Sequence, residues 1–98
     1  MHLVGSPQLG MSNDPNPTVR VSLRVENGHC YRLYITTAST ISKFSTRVWD
    51  SKGQIAFQAD TTYAVPRDGA LCATETGQAS VEITPTSGGT ITTSVWSD

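Results

Sequence analysis

Cys30 and Cys72 are the residues of this 98-residue chain with the clearest chemistry. One cysteine pair in a small chain rich in serine and threonine predicts a single disulfide, and therefore an oxidising compartment. The alternative is a pair of buried free thiols in a cytosolic protein. A zinc site is poorly supported, because the two cysteines and two histidines show neither C-x-x-C nor H-x-x-x-H spacing.

No combination of nucleophile, base and acid predicts an enzyme. His29 precedes Cys30, but neighbouring residues of a strand point to opposite faces, so this imidazole cannot activate this thiol by adjacency. The carboxylates are scattered rather than paired, and the glycines do not form a phosphate-binding loop. We therefore expect no catalytic residues, no metal and no cofactor.

The aromatic residues are the best candidates for a binding surface. Alternation along their strands places Tyr34, Trp49 and Trp96 on polar faces, where Arg32 and Arg47 also lie. We call these five residues the aromatic/arginine face. Exposed aromatic rings stack on sugars or anchor protein partners, and arginine is favoured at interfaces. The alternative places both tryptophans, each near a strand end, over the open end of the core.

Strands must position these residues, because the apolar pattern after Thr18 has a period of two. Asn27-Gly28 predicts a type I′ hairpin between the first two strands, and Asp50-Ser51-Lys52-Gly53 predicts a type I turn. We expect an all-β fold, an antiparallel β-sandwich with jelly-roll or Ig-like topology. The pattern predicts about seven strands, over 19–25, 30–37, 43–49, 54–59, 70–73, 78–84 and 90–96.

Composition limits the domain organisation and the partners. Residues 1–17 contain three prolines and no apolar period, which predicts a flexible N-terminal arm before a domain over 18–98. A net charge of -1 argues against nucleic acid as a partner, and no apolar run reaches the roughly 20 residues that span a membrane. The first residues lack a secretory signal pattern, so we expect a mature or excised domain that is secreted, periplasmic or in the cell envelope.

The order of motifs from Glu26 to Trp96 carries a family resemblance. Asn27-Gly28-His29-Cys30-Tyr31 opens an aromatic strand, Trp49-Asp50-x-x-Gly53 ends a later one, and Ser87-Gly88-Gly89 precedes the last. This order resembles the bacterial pre-peptidase C-terminal domain group and its disulfide-bearing envelope relatives. The resemblance implies a non-catalytic accessory or binding domain outside the cytoplasm. Ser, Lys and Thr stand before Trp49 where such domains carry acidic residues, so we expect no calcium site.

Two functions follow from these observations. The first is an extracytoplasmic accessory or binding domain that contacts a glycan or a protein through the aromatic/arginine face. The alternative is a structural subunit that self-assembles through strand edges or through the N-terminal arm. This alternative is motivated by the shortage of lysines, which on edge strands prevent pairing with another chain, since Lys43 and Lys52 are the only two in the chain.

Overall fold

The computed structural model describes residues 2–5, 7–12, 18–66 and 68–98. These residues form ten β-strands and no helix. The seven predicted strands are all present, with ends shifted by a residue or so, and three short strands were not expected. The strands are β1 (His2–Leu3), β2 (Gln8–Ser12), β3 (Val19–Val25), β4 (Cys30–Thr37), β5 (Phe44–Trp49), β6 (Ile55–Asp60), β7 (Ala64–Val65), β8 (Leu71–Cys72), β9 (Gly77–Pro85) and β10 (Gly89–Ser97).

The strands form two antiparallel sheets, which confirms the predicted all-β sandwich. In the large sheet β10 and β4 are central, β1 and β2 both pair with the outer edge of β10, and β7 and β8 both pair with the outer edge of β4. The small sheet has the order β3-β9-β5-β6. No helix in the described part of the chain is long and apolar enough to cross a membrane.

The core lies between the two sheets and follows from the alternation of side chains. In β3 every valine and leucine is buried and every arginine or serine between them is exposed, because successive residues of a strand point to opposite faces. The same pattern in β4, β9 and β10 supplies the centre of the core. Its fully buried apolar side chains are Leu33, Ile35, Val65, Val81, Ile83 and Ile91.

The predicted Asn27-Gly28 hairpin is wrong. β3 belongs to the small sheet and β4 to the large sheet, so this turn carries the chain across the sandwich. Gly28 has the positive φ of 86° expected of it, but its amide donates to the carbonyl of Ala73, and the amide of Asn27 donates to the Thr76 hydroxyl. Asn27 lacks the positive φ that a type I′ turn also requires at its first central residue. The glycine conformation is therefore as predicted, whereas the turn type and the strand pairing are not.

The hairpin between β5 and β6 is as predicted. Asp50 Oδ1 accepts hydrogen bonds from the amides of Lys52 and Gln54, each at 2.9 Å. Gly53 has a φ of 81°, in the left-handed region that favours glycine. These contacts fix the direction in which β6 leaves the turn.

Two strands, β1 and β2, precede Thr18, the residue at which the sequence pattern predicts the start of the domain. β2 pairs with β10 along five residues and lies beside β3. At Gly10 the approach is so close that a Cβ atom would overlap the Val19 side chain. A glycine inside a five-residue strand removes the alternating pattern, which explains why β2 was not predicted. Residues 13–17 of the predicted arm lie outside the described residues, and its flexibility stays a prediction.

The predicted disulfide between Cys30 and Cys72 is confirmed. The two sulfur atoms are 2.01 Å apart, and the two residues lie directly opposite each other in the β4–β8 pairing. The alternative of free thiols is wrong, since neither cysteine is free. The bond joins the two-residue strand β8 to a central strand of the large sheet, and such a bond indicates an oxidising environment.

Candidate functional site

The aromatic/arginine face is divided between the two sheets. Arg32 and Tyr34 lie on β4 and Trp96 lies on β10, all on the outer face of the large sheet. Arg47 and Trp49 lie on β5, on the outer face of the small sheet. The structure therefore brings together three of the five predicted residues, and the core separates these three from the other two.

Arg32, Tyr34 and Trp96 form one contact group, which we call the Tyr34–Trp96 cluster. Trp96 lies directly opposite Arg32 in the β10–β4 pairing, and Tyr34 lies one outward position further along β4. The Tyr34 and Trp96 rings meet edge to face, with centroids 6.5 Å apart and planes at 88°. The adjacent strands thus hold the two rings in an arrangement that is favourable for aromatic pairs.

The Arg32 side chain fixes the tyrosine. Its Cζ lies 5.5 Å from the centre of the Tyr34 ring, and its Nε donates to the Tyr34 hydroxyl at 3.0 Å. Its Nη1 donates to the carbonyl of Gly69, in the loop before β8. The guanidinium therefore links the aromatic ring to a neighbouring loop, and less rotamer freedom remains to be lost when a partner binds.

Apolar side chains from the N-terminal strands extend this cluster. Leu3 lies directly opposite Trp96, and Leu9 lies directly opposite Thr92 on the same outer face. Leu9 is 71% exposed and Met11 is 66% exposed, although both side chains are apolar. Sequence reasoning missed these residues because they precede the periodic pattern, in the segment predicted to be an arm.

This outer face carries little charge. Among its described outward residues on β1, β2, β4, β7, β8 and β10, Arg32 is the only charged one. Most other outward positions on β4 and β10 carry threonine or serine. A contact with this face therefore removes few charges from water, which keeps the desolvation cost of binding low.

A polar group borders this face beside the disulfide. Asp98 Oδ1 accepts from the amide of Cys30 at 3.1 Å and lies 3.4 Å from His29 Nδ1. The hydrogen bond from the Cys30 amide, and then the one from His29, lower the pKa of Asp98 below its usual value. The contacts of His29 are with Asp98 and Glu26, and the sulfur of Cys30 is in a disulfide. The arrangement holds the ends of β4 and β10 together and presents no thiol nucleophile.

The outer face of the small sheet differs in character. Arg47 is exposed and lies between Glu82 on β9 and Gln58 on β6. Trp49 is half-buried beside Ile55, and its Nε1 is buried without a hydrogen-bond partner among the described residues. Trp49 thus projects from the outer face of the small sheet, where the neighbouring outward residues of β5 and β9 are mainly polar.

A cavity of about 140 Å³ opens between the sheets at the end where β5 turns into β6. Its inner wall is apolar and includes Leu23, Leu33 and Val48. Lys52 and Glu75 lie at its rim, where they form an ion pair at 3.6 Å. The sequence pattern gave no sign of this cavity, because it is built from the ends of several strands and a turn.

Nothing in the described residues groups three or more His, Cys, Asp or Glu side chains where they could hold a metal ion. No family model matches the chain, and comparisons with curated proteins and with solved structures find no significant match. The resemblance to the pre-peptidase C-terminal domain group therefore stays a prediction.

Proposed function

We propose that this chain is a non-catalytic, extracytoplasmic binding domain that contacts a protein partner through the outer face of its large sheet. The observation that carries the proposal is the Tyr34–Trp96 cluster, two aromatic rings and a guanidinium held together on a rigid sheet and bordered by exposed Leu3, Leu9 and Met11. Tyrosine, tryptophan, arginine and methionine are the residues enriched at the centres of protein interfaces.

The ring geometry favours a protein over a glycan. A flat sugar ring stacks on an aromatic ring face, and a glycan chain needs several such faces that are roughly coplanar. The Tyr34 and Trp96 planes are at 88°, and Arg32 lies over the tyrosine ring. The cluster thus suits the irregular apolar surface of a protein better than the repeated flat surfaces of a polysaccharide.

The extracytoplasmic location rests on the disulfide. A cross-strand disulfide in a domain of 98 residues is stable in secreted and envelope compartments and is rare in the reducing cytosol. We therefore expect the partner to be a secreted or cell-surface protein.

The two tryptophans provide a matched experiment. Oxidised wild-type protein is immobilised and used to capture partners from an envelope extract of the source organism, and each captured protein is then purified and titrated by calorimetry. We expect Trp96→Ala to weaken binding by about 30-fold, the loss typical of a buried aromatic anchor. Trp49→Ala removes an equally large, half-buried side chain from the other sheet and is expected to leave the affinity unchanged.

Circular dichroism and urea unfolding show whether each variant keeps the fold. The proposal fails if a partner binds Trp96→Ala as tightly as it binds the wild type. It also fails if no protein binds but xylan or chitin oligosaccharides shift the NMR signal of the Trp96 indole N–H, because the face would then be a glycan site.

A further inference from the structure

The two edge strands of the small sheet have different surroundings. β2 lies beside β3, with Gly10 against the Val19 side chain. β6 pairs with β5, and no other strand among the described residues pairs with it. The six residues of β6 therefore form the open edge of the small sheet.

The backbone of this edge has unpaired hydrogen-bonding groups. The amide of Thr61, just after β6, donates to the carbonyl of Phe44 on β5 at 2.6 Å. Amide directions alternate along an antiparallel strand, so Phe57 and Ala59 also face β5, whereas the N–H and C=O groups of Gln58 and the N–H group of Asp60 point away from it. The Asp60 carbonyl also points away and accepts a hydrogen bond from the Thr62 hydroxyl at 3.4 Å, which leaves its second lone pair for another donor. These outward groups are the ones that an additional strand would pair with.

The side chains of β6 do little to prevent another strand from pairing with this edge. Native edge strands usually carry lysine, proline, inward-pointing charges or β-bulges that prevent pairing with another chain. β6 has one such irregularity, at Ala56, and its pairing with β5 is regular from Phe57 to Asp60. β6 has the sequence Ile-Ala-Phe-Gln-Ala-Asp, in which Asp60 is the only charged residue and lies at the end. Phe57 is half-buried and packs against the core from this edge, so an added strand would also cover part of its ring.

We propose that β6 pairs with β6 of a second copy of this chain, antiparallel about a two-fold axis at Gln58. In this register the two Gln58 residues lie opposite each other, and Phe57 of each copy lies opposite Ala59 of the other. Asp60 lies opposite Ala56 of the second copy, so the two Asp60 residues are about 14 Å apart along the strands. At that distance physiological salt screens most of their repulsion.

We expect the strand that pairs with β6 to come from a second copy of this chain, because this arrangement is self-complementary. One copy supplies outward donors and acceptors at Gln58 that match those of the other copy, and the two-fold axis places Phe57 opposite Ala59 on both sides. The two small sheets would join into one continuous sheet of eight strands. A single pair of short strands buries a small area, so we expect a weak dimer with a dissociation constant in the micromolar to millimolar range.

Gln58→Lys tests the proposal, and Gln78→Lys is its matched control. Gln58→Lys places two lysines opposite each other at the axis, and we expect the dimer to weaken by about tenfold or more. Gln78 is exposed on the central strand β9, where it lies opposite Arg24 of β3. Gln58 likewise lies opposite an arginine, Arg47 of β5. Gln78→Lys therefore makes the same change of charge away from the open edge and is expected to leave dimerisation unchanged.

Sedimentation equilibrium from micromolar to millimolar protein measures the dissociation constant. In parallel, hydrogen exchange of the Gln58 and Asp60 amides is expected to slow as the wild-type concentration rises, but not in Gln58→Lys. A wild type that stays monomeric at millimolar concentration overturns the proposal, and so does a dimer that both lysine variants affect equally. Trp96→Ala lies on the other sheet and should dimerise normally, so this test is independent of the proposed function.

Discussion

Thr46 and Thr93 place hydroxyl groups in the core without a hydrogen-bond partner among the described residues. Their side chains are 0% and 1% exposed, and they point inward from opposite sheets. A buried hydroxyl that loses its hydrogen bonds to water and gains none in the protein destabilises the native state by about 1–3 kcal/mol. Alternation along β5 predicted the inward direction of Thr46, but not the absence of a partner for its hydroxyl.

Replacing either threonine by valine should stabilise the protein. Valine keeps the β-branched shape and removes the unpaired hydroxyl, so we expect Thr46→Val and Thr93→Val each to raise the free energy of unfolding by about 1 kcal/mol. Urea unfolding measures this change. Thr18→Val is the control, because the Thr18 hydroxyl bonds that of Thr84 at 3.1 Å and its loss should not stabilise. Lower stability in both core variants would mean that the two hydroxyls have partners.

The outward direction of some side chains of the candidate site was predictable from the sequence. Alternation identified Tyr34 and Trp96 as outward residues, since each lies in a long regular strand where the period of two holds. It could not show that Trp49 lies on the other sheet, because the direction of a side chain from its strand does not reveal which sheet contains that strand. Leu9 and Met11 were missed because their strand pairs with a segment about eighty residues away.

At the scale of elements, the contact between β2 and β3 depends on one glycine. Gly10 lies where any Cβ would overlap Val19, so β2 can lie beside β3 only while residue 10 has no side chain. The strand therefore closes one flank of the sandwich by close backbone approach rather than by side-chain packing.

Gly10→Ala should disrupt this contact. The added methyl group overpacks the flank, and we expect a loss of about 1–3 kcal/mol in the free energy of unfolding, together with faster hydrogen exchange of the β2 amides. Leu9→Ala, on the same strand, removes an exposed side chain and should change stability by less than about 0.5 kcal/mol. Equal stability of Gly10→Ala and the wild type would show that β2 does not lie against β3.

Strand pairing was the part of the fold that the sequence could not provide. The pattern located seven strands because alternation is a local property, but the partner of a strand depends on distant residues. Asn27-Gly28 illustrates the limit, since a residue pair typical of hairpins here lies in the turn that connects the two sheets. Among the described strands, β5 and β6 are the only consecutive pair that hydrogen-bond to each other.

For the whole molecule, the disulfide should supply a large share of stability. It joins residues 42 positions apart, and closing a loop of that size in the unfolded chain corresponds to about 4 kcal/mol in loop-closure entropy. We expect the Cys30→Ala/Cys72→Ala variant to lose about that much free energy of unfolding, measured in urea. Reduction of the wild type should give a similar loss. A loss below about 1 kcal/mol would show that the bond contributes little to this fold.

The strand order also has a consequence for synthesis on the ribosome. β9 and β10, the last strands of the chain, are central strands of the small and large sheets, and β1 and β2 pair with β10 alone. The strands β1 and β2 thus have no partner strand until β10 has left the exit tunnel, and β3 has none until β9 has. Before then only the β5–β6 hairpin and the short pairings of β7 and β8 with β4 can form. The sandwich therefore cannot be complete before β9 and β10 have left the exit tunnel, which leaves an interval in which the unfolded chain can be bound by chaperones.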